Sequence, residues 1–461
     1  MDYLDVECSQ IARVSTGETG VYPCIKGGRF GLLDCWCYGN AYGWANLITF
    51  VWDNVGGFRY VGVPNRCAAA KMISRMESES GDKARRTKEL EHSFYHELQK
   101  LSWDQIADRV YNMRPVDVER AIQHAGHCSP EEFEALISPA AVPYLELIAQ
   151  ESQRLTRRRF GRVLSLYVPL YLSNACTNSC VYCGYSRLNR IPRKTLTADE
   201  VRAEAQSIRA LGFEHILLLT GEASKDSGFE YLREMVRILR PMFPQISIEV
   251  QPMGVDEYAA LGQEGLHSVY VYQETYNEAM YPEYHLAGMK RNFRYRLETP
   301  DRIGMAGIHR IGLGALLGLE DWRVETVCVA HHLRYLQRMY WKSKYTVSFP
   351  RLRPHAGQFQ PKFEVKDRDL LQIIMAYRLL DENLEMSLTT RESAYFRDHA
   401  FPLGITSLSA GSHTEPGGYA QPNSELEQFR ISDDRSPAQV QALLHQHGYE
   451  AVWKDWDWAL Q

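Results

Sequence analysis

No run of 18 or more apolar residues occurs in this 461-residue chain, so a transmembrane helix is not expected. Positive charge is not in excess either. Lys and Arg number 52 against 57 Asp and Glu, and a formal net charge of −5 gives no electrostatic case for nucleic acid or an anionic membrane as partner. The opening MDYLDVECSQ is acidic and lacks the basic and apolar regions of a secretory leader, which leaves the cytoplasm as the expected compartment. Cysteine is missing from the 133 residues after Cys328. In a cytosolic chain the ten cysteines present are expected as ligands or free thiols rather than as a disulfide framework.

What is present divides the chain into four regions: an extension over 1–84, a helical lead-in over 85–160, an α/β region over 161–415 and a C-terminal tail region over 416–461. Residues 1 to 75 are rich in Gly, Cys and aromatics, and no helical or alternating period persists there. Cys24, Cys35, Cys37 and Cys67 match no metal-ligand spacing. The segment reads as a poorly ordered extension of unknown role, or as upstream sequence before a start near Met76. Helical signals begin after Arg85. Ser129-Pro130-Glu131-Glu132 is a capping box with Pro at the first helical position. The stretch YLELIAQESQRLTRRRFG ends on arginines and Gly161, as a helix C-terminus should.

From there short apolar runs alternate with helical segments. Candidate strands are 163–172, 215–220, 246–251, 268–274, 310–317, 345–350, 384–389 and 404–410, with a helix after Thr197 opened by the Thr197/Glu200 box. Eight strands separated by helices imply parallel pairing with helical crossovers. Closure into a (β/α)8 barrel is the simplest arrangement, with a doubly wound open sheet as the alternative.

A barrel of this kind carries its active site at the C-terminal ends of its strands, and polar residues gather there. The first strand runs into Cys176, Cys180 and Cys183, and the second ends in Thr220-Gly221-Glu222. The third carries Glu249 and Gln251, the fourth Gln273 and Glu274, the sixth Arg351 and Arg353, and the seventh Thr390-Arg391-Glu392. Three thiolates within eight residues can wrap one face of an iron–sulfur cube and leave its fourth iron open. A zinc site completed by a distant His, or three incidental thiols, are the competing readings. Neither accounts for a loop that follows a first strand and places Tyr182 before the third Cys.

The spacing Cys176-x3-Cys180-x2-Cys183 with Tyr182 resembles the signature of the radical S-adenosylmethionine (SAM) superfamily. The resemblance implies one [4Fe–4S] cluster on Cys176, Cys180 and Cys183, with SAM on the open iron and cleaved to a 5′-deoxyadenosyl radical. The segments YLSNACTNSCVYCGYSRLNRIPRKTLT, FEHILLLTGE, IEVQPM, YQETYNEAMYPEYH, SFPRLRP, LTTRES, PGGYA and VWKDWD narrow it. From about Leu101 to the end they are similar to the 2-iminoacetate synthase family, the ThiH-type tyrosine lyases of thiamine biosynthesis. The similarity does not reach residues 1 to 85.

That family implies cleavage of the Cα–Cβ bond of L-tyrosine to 2-iminoacetate (dehydroglycine) and p-cresol. It also implies a complex with thiazole synthase and an electron donor such as a flavodoxin or ferredoxin. By the resemblance Tyr182 flanks the SAM adenine and Glu222 accepts from the SAM ammonium group, with Thr220 where the superfamily motif has its first glycine. Glu249 and Gln251, two apart on one strand face, are assigned to polar contacts with SAM or substrate. Of Gln273 and Glu274 only one can face the barrel. Arg351 is the first choice for the fork that holds the substrate carboxylate, and Arg391 the second. The rivals are the tyrosine lyase of hydrogenase maturation, the tryptophan lyase of peptide-antibiotic synthesis, and a non-enzymatic iron–sulfur or zinc protein. The first of these needs a second cluster near its C-terminus, where this chain has no cysteine.

Overall fold

The structure, a computed structural model, describes residues 90–455 apart from 356 and 358, together with four strands among the first 62 residues. The chain forms two compact units, Met1–Thr87 and Lys88–Gln461. In the first, β1 (Cys24–Lys26), β2 (Leu32–Cys37), β3 (Asn46–Trp52) and β4 (Phe58–Gly62) form an antiparallel sheet in chain order. This corrects the reading that no element forms there. NLITFVW is β-branched and aromatic and LLDCWC carries one Trp, but their apolar residues are adjacent rather than alternating, so the period-2 signal is weak. The start near Met76 and the positions of Cys8 and Cys67 lie outside the described residues.

The second unit opens with the expected helices. Pro130–Ile137 starts on Ser129, whose hydroxyl accepts from the Glu132 amide while the Glu132 carboxylate accepts from the Ser129 amide. Leu145–Phe160 stops at Gly161. Eight parallel strands then close a barrel: β5 (Val163–Ser173), β6 (His215–Thr220), β7 (Gln245–Glu249), β8 (Leu266–Tyr270), β9 (Arg310–Leu313), β10 (Lys344–Ser348), β11 (Glu385–Leu388) and β12 (Ser407–Ser409). They pair in chain order, and β12 pairs with β5 to complete the ring. The barrel expectation holds, and the open sheet is excluded by that last pairing.

The period-2 pattern of β5 explains where the core sits. Leu164, Leu166, Val168, Leu170 and Leu172 are fully buried in the main core under the helices. Their neighbours Tyr167 and Tyr171 face the barrel axis, in a separate set with Leu217 and Leu219. Barrels of this class are usually filled by branched aliphatic side chains. Here Tyr167, His215, Tyr270, Tyr272, Ser348 and Ser387 line the interior instead, and a cavity remains along the axis.

The C-terminal region is more than a tail. Helix Pro437–Gln446 leads into β13 (Glu450–Val452), which pairs in parallel with the first residues of β5. Asp455 then reaches the buried Arg310 at 2.8 Å, at the N-terminal end of the barrel. Three residues are too few to reveal a strand by periodicity, so this one escaped the sequence reading.

Candidate active site

Beyond β5 the chain leaves the sheet and forms the loop that carries Cys176, Cys180 and Cys183, all three on the wall of the cavity. Two segments hold the loop. The end of β6 does so through Gly221, whose amide donates to Ser173 O, and through Glu222 O, which accepts from the Thr177 amide and hydroxyl. A Cβ on Gly221 would lie 2.1 Å from the Ala175 carbonyl oxygen, so only glycine lets the loop approach this closely. The other segment is 284–290. Cys180 and His285 form an antiparallel bridge, Ser179 N donates to Ala287 O, and Leu286 N donates back to Ser179 O. Gly288, at φ +95°, packs against Asn178 where a Cβ would collide with that residue's side chain.

Tyr182 is buried and its hydroxyl lies 2.7 Å from His285 Nε2. His285 Nδ1 is 2.9 Å from the Tyr281 carbonyl, which can only accept, so Nδ1 donates there and Nε2 accepts from Tyr182. Gln428, in the C-terminal region, accepts from Tyr171 Oη and points its amide nitrogen at Cys183 Sγ, 3.8 Å away.

The acids fall into an ordered set of pairs. Glu222 accepts from Arg296 at 2.8 Å and from Asn178 at 2.7 Å. Burial pushes its carboxyl up, but Arg296 and Lys290 outweigh that and hold it below the usual carboxylate range. Glu274, at φ 72°, turns into the cavity and meets Lys290 at 2.6 Å and Arg296 at 3.5 Å. Gln273 turns away and donates weakly to Phe293 O, so Glu274 is the member of that pair that faces the barrel. Glu249 lines the cavity, and burial pushes its carboxyl up to about 7. Gln251 does not line it and donates instead to Ser227 O. Gln251 leaves the face that Glu249 occupies because β7 ends at Glu249, and beyond a strand end side chains no longer alternate.

The two candidate arginines differ in what already holds them. Arg351 does not line the cavity. Its guanidinium is spent on Glu392, on Asp367 at 2.9 Å and on the Val365 carbonyl at 2.9 Å. Arg353 lines the cavity but donates to Glu392 at 2.7 Å. Arg391 lines the cavity, stacks on Phe429 with the guanidinium 3.6 Å from the ring centroid, and has no acidic partner among the described residues. The sequence reading also missed Lys290, Arg296, His285, Asn178 and Gln428. Lys290 and Arg296 come from the long connection after β8, where no period marks position. Asn178 sat within the quoted cysteine motif.

The donor set fits an iron–sulfur cluster with SAM beside it. Three soft thiols share the cavity wall, and soft thiolates suit such a cluster. Burial raises the Cys176 thiol to about 11, and Cys180 is raised too, so iron binding must displace protons here. The cavity also holds buried polar atoms with no partner among the described residues: Thr220 Oγ1, His215 Nδ1, Arg353 Nε and His355 Nε2. Such atoms are costly unless a ligand meets some of them.

Residues 170–328 match the radical SAM superfamily and residues 348–450 the biotin and thiamin synthesis associated domain. The chain is 51% identical over 366 residues to the 2-iminoacetate synthase of Salmonella typhimurium strain LT2, covering 79% of this chain and 97% of that protein. It is 52% identical to the 2-iminoacetate synthase of Escherichia coli K12, with the same coverage. Among solved structures, HydG, a maturase of the [FeFe]-hydrogenase, superimposes with a TM-score of 0.73 at 29% identity, over 76% of this chain and 79% of that one. Methylornithine synthase (PylB), at 19% identity and a TM-score of 0.59 over 73% of this chain and 97% of that one, shares the fold. No helix among the described residues is long and apolar enough to cross a membrane.

Proposed function

Because the chain belongs to the 2-iminoacetate synthase family of radical SAM enzymes, we propose that it cleaves the Cα–Cβ bond of L-tyrosine, giving 2-iminoacetate and p-cresol. When bound, the cluster and SAM supply a carbon-centred radical that takes a hydrogen atom from the substrate amine. The protein holds, aims and shields.

Cys176, Cys180 and Cys183 hold the cluster, and the glycine contacts at Gly221 and Gly288 set their loop. Glu222, charged and fixed by Arg296 and Asn178, accepts from the SAM ammonium group. The Thr220 hydroxyl, buried beside it without a partner, is a second polar contact for SAM. Tyr182, oriented by His285, flanks the adenine. Glu274 keeps Lys290 and Arg296 in place at the same wall. Arg391 replaces Arg351 as the carboxylate ligand, because a planar fork with no acid against it is free to bind one. The polar barrel interior leaves room for a phenol.

The observation that carries this reading is the convergence of the three thiols, Thr220 and Arg391 on one cavity. The product then supplies the thiazole moiety of thiamine, passing to thiazole synthase in the cytoplasm. A flavodoxin or ferredoxin supplies the electron. The test is an anaerobic, cluster-loaded sample given reductant, SAM and either tyrosine or tryptophan. p-Cresol from tyrosine alone is expected. Absence of p-cresol while SAM is still cleaved overturns the substrate assignment, and absence of any SAM cleavage overturns the enzyme class.

A further inference from the structure

Four acids and four strong cations line the cavity, and all but two are committed to one another. Glu222 is paired with Arg296, Glu274 with Lys290 and Arg296, and Glu392 with Arg353 as well as with Arg351 outside. Glu249 and Arg391 remain. Among the described residues Glu249 makes no hydrogen bond or ion pair, and Arg391 meets only the face of Phe429. The two act on each other through space without forming an ion pair, so a gap separates a free anion from a free cation. An α-amino acid zwitterion carries the complementary charges on a single carbon.

We infer that Glu249 receives the ammonium group of the bound amino acid and takes its proton, while Arg391 holds the carboxylate. This rests on the tyrosine reading given above. Hydrogen-atom removal from the substrate nitrogen requires an N–H bond on a neutral amine, yet tyrosine arrives as an ammonium. The step is a proton transfer alone. One N–H bond breaks, one O–H bond forms on Glu249, and the electron pair stays on nitrogen, so no oxidant or reductant is consumed. When the imine leaves, the carboxyl returns its proton to solvent.

Glu249 is suited to this by its surroundings. Burial and the neighbouring Glu274 push its carboxyl up to about 7, against Arg391, Lys290 and Arg296, which favour the charged form. The phenols of Tyr167, Tyr171, Tyr270 and Tyr272 also face it, and burial keeps each of them protonated. A carboxylate raised this far is a stronger base than an ordinary one and keeps its place in a cavity where every other acid is neutralised. Rising pH should therefore ionise Glu249 and favour catalysis through the region of pH 7.

The test uses cluster-loaded enzyme and measures binding of L-tyrosine, of 3-(4-hydroxyphenyl)propanoate, which lacks the amine, and of tyramine, which lacks the carboxylate. Wild type should prefer tyrosine to both. Glu249→Gln should lose about tenfold of its preference for tyrosine over the des-amino acid, the size of one charge-assisted hydrogen bond, while keeping its preference over tyramine. Arg391→Gln should do the reverse, and Glu249→Asp should recover part of the lost discrimination. In turnover, Glu249→Gln should lose the rise in p-cresol rate through pH 7. If Glu249→Gln discriminates against the des-amino acid as well as wild type does, the inference is overturned with the tyrosine reading intact. A wild type that does not prefer tyrosine overturns both.

Discussion

Arg351 and Arg391 show how a residue's role depends on what already holds it. Both are arginines just beyond strands of the barrel, and residue type does not separate them. Arg351 gives its donors to Glu392, Asp367 and a carbonyl, so Arg351→Lys should lower the melting temperature and leave tyrosine affinity close to wild type. Arg391→Lys keeps the charge but loses the planar fork, and tyrosine affinity should fall roughly tenfold in equilibrium dialysis. The cysteines admit less latitude. Cys176→Ala, Cys180→Ala or Cys183→Ala each leaves two thiols for a cube that needs three, and each should abolish 5′-deoxyadenosine formation from SAM. A triple variant that still forms 5′-deoxyadenosine would remove the cluster from the account.

Elements matter here mainly through the contacts of loops. The cysteine loop makes no regular ladder of its own and takes its shape from β6 on one side and the 284–290 segment on the other. Gly221→Ala would drive a methyl into the Ala175 carbonyl, and backbone on both sides must move. The expected result is iron content well below wild type after reconstitution, with unchanged far-ultraviolet circular dichroism, because the barrel strands do not depend on that contact. Full iron content in Gly221→Ala would show that the loop can shift without cost. The stretch after Gln428, ahead of helix Pro437–Gln446, is pinned by side chains. Arg397 and Asp433 form a buried pair, and Arg435 joins Asp433 at 2.7 Å to Asp398 at 2.8 Å, on the stretch that follows Gln428. That explains how a region without sequence period places an amide beside Cys183.

For the whole molecule the distinction from the hydrogenase-maturation relative rests on cysteine count. The second unit contains Cys128 and Cys328 besides the three loop cysteines, both buried, and burial raises both thiols. Cys128 donates to the Ala121 carbonyl and Cys328 sits inside helix Trp322–Met339. Neither is offered to a second cluster. The five cysteines of residues 1–67 lie where the family resemblance does not reach, so reconstituted protein should hold about four irons per chain and release no carbon monoxide, the product that the hydrogenase-maturation reading implies, during turnover. About eight irons, or trapped carbon monoxide, would reverse this. A chain beginning at Met76 keeps all of Lys88–Gln461 and should bind the same iron and melt at the same temperature. Lost iron or solubility would assign a role to the β1–β4 sheet.

The sequence by itself determined what depends on neighbours along the chain. The barrel strands, the capped helices at Ser129 and Thr197, and the cysteine loop after the first barrel strand follow from period and spacing over a few residues. Glu249 was legible as inward-facing because strand alternation reached it, whereas alternation said only that one of Gln273 and Glu274 faces the barrel, and the structure decided for Glu274. Gln251 was misread because β7 ends two residues earlier. Only the tertiary structure decided which charges are free. Glu392 lies 41 residues from Arg351 and Arg296 lies 74 from Glu222, and whether two such groups meet depends on strand order and loop path, not on local pattern. A guanidinium binds substrate only if no nearer acid has taken it, and that condition is a property of the folded site.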